Sequence, residues 1–153
     1  MKQRLKEEFL NKRNQLTKEQ IAEMSKSVQE RLESLEQYKK AKTIMHFVSF
    51  GTEVNTHNLI KNAIAKKTVA VPKTADHKIE PCILIDFDSM IPSEPYGILE
   101  PMDLMKLSSK SIEVVMVPGI VFDLEGHRVG YGMGFYDDFL KHVHNALKIG
   151  LCF

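Results

Sequence analysis

The sequence contains no tryptophan and only two cysteines in 153 residues. Cys82 and Cys152 lie far apart and form no C-x-x-C pair, so neither a zinc site nor a disulfide framework is indicated. Reduced thiols in a cytoplasmic protein fit that usage. Long apolar runs are also missing, which speaks against a membrane span. The opening "MKQRLKEEFLNKR" is charged throughout and does not read as a signal peptide. An excess of one charge is absent too: 21 Lys and Arg face 20 Asp and Glu, so no global field favours nucleic acid or a membrane. Locally, residues 1–42 hold eleven Lys and Arg against seven Glu, which reads as the solvated face of two helices. An RNA-binding role has only that basic segment to support it. Near-neutral charge and sparse interleaving of aromatic with basic residues count against it. No internal repeat, linker or low-complexity segment is visible, and the length is that of one ordinary domain.

What is present is an alternation of helical and strand patterns. Residues 2 to about 14 form a charged helix. Thr17 and Gln20 make a capping box for the next one, whose Ile21, Met24, Val28, Leu32 and Leu35 form an apolar stripe expected to pack as core. "TIMHFVSF" reads as a buried strand, with His46 as a core histidine. Thr56 is placed to cap "HNLIKNAIAKK". "TVAVP" is a short strand that Pro72 is expected to stop, and "KIEPCILIDF" contains another. "SMIPSEPYGILEPMD" is rich in Pro and Gly and predicts loop. "IEVVMVP" is the most continuous buried-strand signal. "DDFLKHVHNAL" predicts a helix on which His142 and His144, two apart, share no face, and "KIGLCF" predicts a last strand. The alternation argues for an α/β domain with a mainly parallel sheet flanked by helices, behind an N-terminal helix pair. Ligands in such sheets bind beyond the carboxyl ends of the strands. Two loops stand there, "SFGTEVNT" and "PGIVFDLEGHRVGYGMG".

The second loop runs into "RVGYGMGFYDDFL", with Gly130, Gly132 and Gly134 at alternate positions. Successive N–H groups on such a backbone can form an anion nest, and the following helix adds its dipole. Arg128 offers a planar fork for phosphate, and Asp137 could reach a magnesium ion carried by phosphates. The loop is not a Walker A motif, which needs Gly-Lys before Ser or Thr. It also fails the dinucleotide fingerprint, because Phe135 occupies the third glycine's place. A tight strand-to-helix turn with a capping aspartate accounts for the same residues, and spacing alone leaves the two readings level. Asp123 reads as a turn cap and His127 as a loop histidine.

"VPGIVFD", "GHRVGYGMGFYDDFL" and the closing "IGLCF" resemble the signature region of the 5-formyltetrahydrofolate cyclo-ligase family, also called 5,10-methenyltetrahydrofolate synthetases. "KQRLK", "YKKAKTIMHFVSFGTEVNT" and "YGILEP" are similar to further family segments and occur in family order along nearly the whole chain. The resemblance implies an α/β fold of the kind shared with CoA transferases and ribose-phosphate isomerases, in one domain over residues 1–153. It implies that 5-formyltetrahydrofolate and MgATP give 5,10-methenyltetrahydrofolate, ADP and phosphate.

Carried over to this sequence, it assigns ATP to Lys2, Lys6, Arg128, Gly130, Tyr131, Gly132, Met133, Gly134, Phe135 and Tyr136, with Arg128 catalytic. It assigns folate to Lys6, Val48, Glu53, Tyr131, Gly132, Met133, Gly134 and Phe135, and Mg²⁺ to Asp137. A small-molecule folate substrate, no nucleic acid or membrane partner and a monomer or weak dimer are the accompanying expectations. Three departures stand out. Lys6 replaces the family's usual arginine, Met133 a frequent lysine, and Phe135 the first tyrosine of a Tyr-Tyr pair. Family members also run on past the position of Phe153 to a second metal-binding aspartate, so a C-terminal tail is expected. The alternative reading is a non-catalytic or repurposed relative that binds nucleotide or folate.

Overall fold

A computed structural model describes residues Met1–Phe153. In chain order the elements are α1 (Lys2–Asn14), α2 (Lys18–Ser34), α3 (Glu36–Lys40), β1 (Thr43–Met45), α4 (His57–Ile64), β2 (Thr68–Ala75) and β3 (Lys78–Ile83). They continue with β4 (Ile91–Ser93), β5 (Ile98–Glu100), β6 (Val114–Val117), β7 (Val121–Phe122), β8 (Arg128–Val129), α5 (Phe135–Leu140) and β9 (Leu147–Gly150). The main sheet has the order β3-β2-β1-β6-β9. All its pairings are parallel except β2–β3. Side chains alternate cleanly between its faces. Ile44, Val69, Val71, Val114 and Met116 join the core beneath α2, α3 and α4. Met45, Ala70, Val115 and Val117 join the core on the opposite side with Phe139 and Val143. Burial on both faces is why β6 reads as an unbroken apolar run. No helix is long and apolar enough to cross a membrane.

Several local expectations hold. The Thr17–Gln20 capping box forms with both of its hydrogen bonds. His46 is fully buried, its Nε2 3.1 Å from the Tyr38 hydroxyl. Others need correction. Strand β2 does not stop at Pro72 but runs to Ala75, with Pro72 opposite Pro81. The Pro81 carbonyl accepts from Leu107 N–H at 2.8 Å, on the side away from β2. The two prolines therefore form a non-hydrogen-bonded pair, and neither missing N–H interrupts the ladder. "SMIPSEPYGILEPMD" is not all loop, since β4 and β5 pair as a small hairpin within it. The first strand is three residues long because the chain beyond Met45 leaves the ladder. The helix after the glycines ends at Leu140, before His142. Of the α2 stripe only Leu32 is fully buried, and Leu35 is exposed where it joins α2 to α3. Thr56 occupies the N-cap position of α4 without capping it. Its hydroxyl donates instead to the Phe47 carbonyl and accepts from Ser49 N–H, stapling the loop after β1.

The strand order places the site. From β1 the chain crosses to β2 on one side, and from β6 it crosses to β9 on the other. The loops after two adjacent parallel strands thus diverge, opening a crevice between residues 46–56 and 118–134.

Candidate active site

Helix α1 lies over this crevice and has no fully buried residue. Beneath it runs a cleft of about 200 Å³. Phe9 of α1, Leu16 just past its end, Phe47, Ile120 and Leu151 line it, with Glu53 in its wall.

Glu53 is 6% exposed. One carboxylate oxygen accepts from Phe50 N–H and the other from the Tyr131 hydroxyl, each at 2.9 Å. Burial raises its pKa, opposed by these two hydrogen bonds and by the nearby Arg13. The Phe50 ring stands 5.8 Å from that of Tyr131 and 6.0 Å from that of Tyr96, at the turn between β4 and β5. A buried carboxylate thus bonds to both residues of the Phe50–Tyr131 ring pair, with the exposed Tyr96 ring next to Phe50. Tyr131 itself is held by α1 at both ends. Lys6 Nζ donates to its carbonyl and Arg13 Nη2 to its hydroxyl, both at 2.6 Å.

The glycines divide their work. Gly132 and Gly134 take φ of 101° and 75°, a region costly for other residues, and Gly134 turns the chain into α5. Gly130 has no positive φ, and its missing side chain makes room for the Arg128 guanidinium, which a Cβ there would meet at 2.6 Å. Arg128 is folded beneath the loop. It donates to the Pro118 carbonyl at 3.0 Å and pairs with Asp137. The Arg128 side chain is only 12% exposed, whereas that of Asp137 is 74% exposed. Met133 stands out at the loop tip, 62% exposed. Phe135 lies beside His77 of the β2–β3 turn. The Tyr136 ring packs into the core with its hydroxyl buried and without a partner.

The structure therefore brings Lys6, Glu53 and Tyr131 into one cluster, and Arg128, Gly130 and Asp137 into a second alongside it. Lys2 is exposed at the start of α1, and Val48 is buried in the core. Arg13, Phe50 and Tyr96 escaped the sequence reading. The only trace of Arg13 is its spacing: Lys6, Phe9 and Arg13 repeat at helical intervals along one face of α1. Asp123 does cap a turn, accepting from the N–H groups of Glu125 and His127. It forms an exposed group with Glu125 and His127 on the β7–β8 hairpin.

A family model described as the 5-formyltetrahydrofolate cyclo-ligase family matches residues 1–151. The chain belongs to that family. A probable 5-formyltetrahydrofolate cyclo-ligase of Caenorhabditis elegans is 27% identical over 89% of this chain and 73% of its own length. The enzyme of that name from Haemophilus influenzae is 26% identical over 99% of this chain and 85% of its own. Among solved structures, the 5,10-methenyltetrahydrofolate synthetase of Aquifex aeolicus superposes with a TM-score of 0.88. It is 30% identical and the match covers 99% of this chain and 77% of that one. The corresponding synthetase of Mycoplasma pneumoniae, at 20% identity, shares the fold with a TM-score of 0.75. Membership bears out the resemblance drawn from the glycine block, and the mixed, mainly parallel sheet bears out the α/β class.

Proposed function

We propose that this cyclo-ligase closes 5-formyltetrahydrofolate to 5,10-methenyltetrahydrofolate in a reaction that consumes ATP and requires Mg²⁺. The observation that carries the reading is Glu53, a buried carboxylate set among aromatic rings directly beneath the glycine loop. An ionised carboxylate has about four lone-pair sites, and the protein uses two of them. The remaining sites suit the N–H donors along one edge of a pterin. Phe50, Tyr96 and Tyr131 offer faces for the flat heterocycle.

The anionic end has a matching environment. Lys6 and Arg13 approach the loop from α1, and Arg128 lies under it. The donor set suits Mg²⁺ that is shared with phosphate. Asp137 points one carboxylate oxygen at Arg128 and leaves the other without a protein partner. Mg²⁺ ordinarily takes one or two carboxylates and completes its shell with phosphate oxygens and water. When bound, MgATP supplies the phosphoryl group that turns the formyl oxygen into a leaving group, so that N10 can close the ring. The chain's own part is to hold the pterin edge through Glu53, to screen phosphate charge through Lys6 and Arg128, and to hold the metal through Asp137. Lys2 at the start of α1 and the backbone from Gly130 to Tyr136 complete the phosphate side. Met133, Phe135 and Val48 belong to the folate side of the same reading.

Mixing the protein with 5-formyltetrahydrofolate and MgATP tests it. The absorbance of methenyltetrahydrofolate should appear and should require both nucleotide and metal. A folded protein that binds either ligand but never yields that absorbance would favour the repurposed-relative alternative.

A further inference from the structure

Between Arg128 and Phe135 the glycine loop carries no basic side chain of its own. Positive charge reaches its outer side from α1, through Lys6 and Arg13. These residues are seven positions apart, two helical turns, and so share one face. Lys6 has a part in the reading above. Arg13 makes the better-defined contacts.

Its Nε donates to the Thr52 hydroxyl at 3.1 Å while Nη2 donates to the Tyr131 hydroxyl at 2.6 Å. Two bonds from a planar fork fix the orientation of the group. Thr52 passes its own proton to Asn14 Oδ1 at 2.8 Å, so its lone pairs face Arg13. The guanidinium can only donate. The Tyr131 oxygen is therefore an acceptor towards Arg13, and its proton is free to point at Glu53, 2.9 Å away. Arg13 thereby sets the direction of the whole relay from α1 through Tyr131 to Glu53. It also bridges the loop after β1, through Thr52, to the glycine loop, through Tyr131.

We infer that Arg13 is a positioning residue for the substrate end of the site. Acting through Tyr131, it fixes Glu53 as a hydrogen-bond acceptor and holds the glycine loop against the loop after β1. The inference rests on the proposed folate role of Glu53. Without Arg13 the Tyr131 hydroxyl has no fixed direction. It can turn its proton away from Glu53, towards Arg13's replacement, and the carboxylate loses its set orientation. Lysine at position 13 keeps a donor with no acceptor, whereas glutamine offers both.

The test is steady-state kinetics on wild type, Arg13→Gln, Arg13→Lys, Tyr131→Phe and the Arg13→Gln/Tyr131→Phe double variant. Calorimetric titration of each with 5-formyltetrahydrofolate alone accompanies it. Arg13→Gln should raise the folate KM by about tenfold, the effect of losing one charge-assisted hydrogen bond, with kcat and the MgATP KM within about twofold. Arg13→Lys should recover most of the folate KM. The double variant should be no worse than Tyr131→Phe, because both changes cut the same relay. An unchanged folate KM in Arg13→Gln, equal rises for both substrates, or multiplying effects in the double variant would each overturn the inference while wild-type turnover upheld the reaction. Should Arg13→Gln fail to fold, Tyr131→Phe with a wild-type folate KM overturns it as well. A wild-type protein that neither binds nor converts the folate would remove the underlying reading and the inference with it.

Discussion

Replacing Glu53 with glutamine keeps the shape of the side chain but exchanges one acceptor for a donor and removes a charge. Two donors reach the native carboxylate, Phe50 N–H and the Tyr131 O–H, each at 2.9 Å. Glutamine has a single carbonyl oxygen, and the backbone donor cannot turn away, so that oxygen goes to Phe50. The amide NH₂ then faces the Tyr131 oxygen, which already accepts from Arg13 at 2.6 Å. Two donors converge on one hydroxyl whose own proton has lost its acceptor. At 6% exposure little water is available to repair the mismatch. Pterin N–H donors arriving at the same side chain meet further hydrogens. Losing a hydrogen bond to a charged group costs about 1.5–3 kcal/mol, or roughly a 10- to 150-fold weaker affinity. Arg128 and Asp137, the proposed phosphate and metal ligands, make no hydrogen bond to Glu53, so nucleotide affinity should change by less than about twofold. Separate calorimetric titrations of Glu53→Gln with 5-formyltetrahydrofolate and with a non-hydrolysable ATP analogue measure both. Equal losses for the two ligands, or no loss for the folate, would show that the carboxylate serves the fold rather than the substrate.

Three further expectations concern other parts of the molecule. Asp137 has one oxygen free of protein partners, so Mg²⁺ binding should be seen by calorimetry only with nucleotide present and should vanish in Asp137→Asn. Tight metal binding without nucleotide would place the ion elsewhere. Burial lowers the His46 pKa from 6.5 to about 3, so between those values the unfolded chain takes up a proton that the folded one refuses. Stability should therefore fall by about 1.4 kcal/mol per pH unit as pH drops below about 6.5, and urea melts of His46→Leu that keep this slope would refute the assignment. The Phe122 ring is wedged between Gly119 and Gly150, and a Cβ on Gly150 would meet it at 2.4 Å. Gly150→Ala should cost about 1–3 kcal/mol in chemical denaturation, and an unaltered midpoint would mean that the ring has room to retreat.

How much could be read beforehand depended on how local each signal was. The Thr17–Gln20 capping box was legible because its bonds join residues three apart. Strand β6 was legible because burial on both faces forces four apolar residues in a row. Pro72 misled because the cost of a missing N–H depends on which side the neighbouring strand lies, and that is a property of the sheet. The β4–β5 hairpin was hidden in Pro- and Gly-rich chain because its strands are three residues long and at most half-buried. At the site, Glu53, Tyr131 and Lys6 came from motif resemblance, and the structure brings them together. The pairing of Arg128 with Asp137 needed the turn geometry of Gly130 to Gly134. Arg13 stayed invisible because a charged residue on a charged helix looks solvated until its partner, 118 positions away, is known.

That separation has a consequence during synthesis. Helix α1 leaves the ribosome well before the glycine loop, so its polar anchors on Tyr131 are made late. At typical elongation rates the 118 residues between Arg13 and Tyr131 take roughly 6–24 seconds to add. Until Pro118, Ile120 and Leu151 follow, Phe9 and Leu16 have only part of their cleft to face. The nascent chain must carry a basic, partly apolar helix with only the Thr52 contacts to hold it until the glycine loop emerges. Ligand-binding competence is then acquired in a late step, when α1 closes over a loop made long after it.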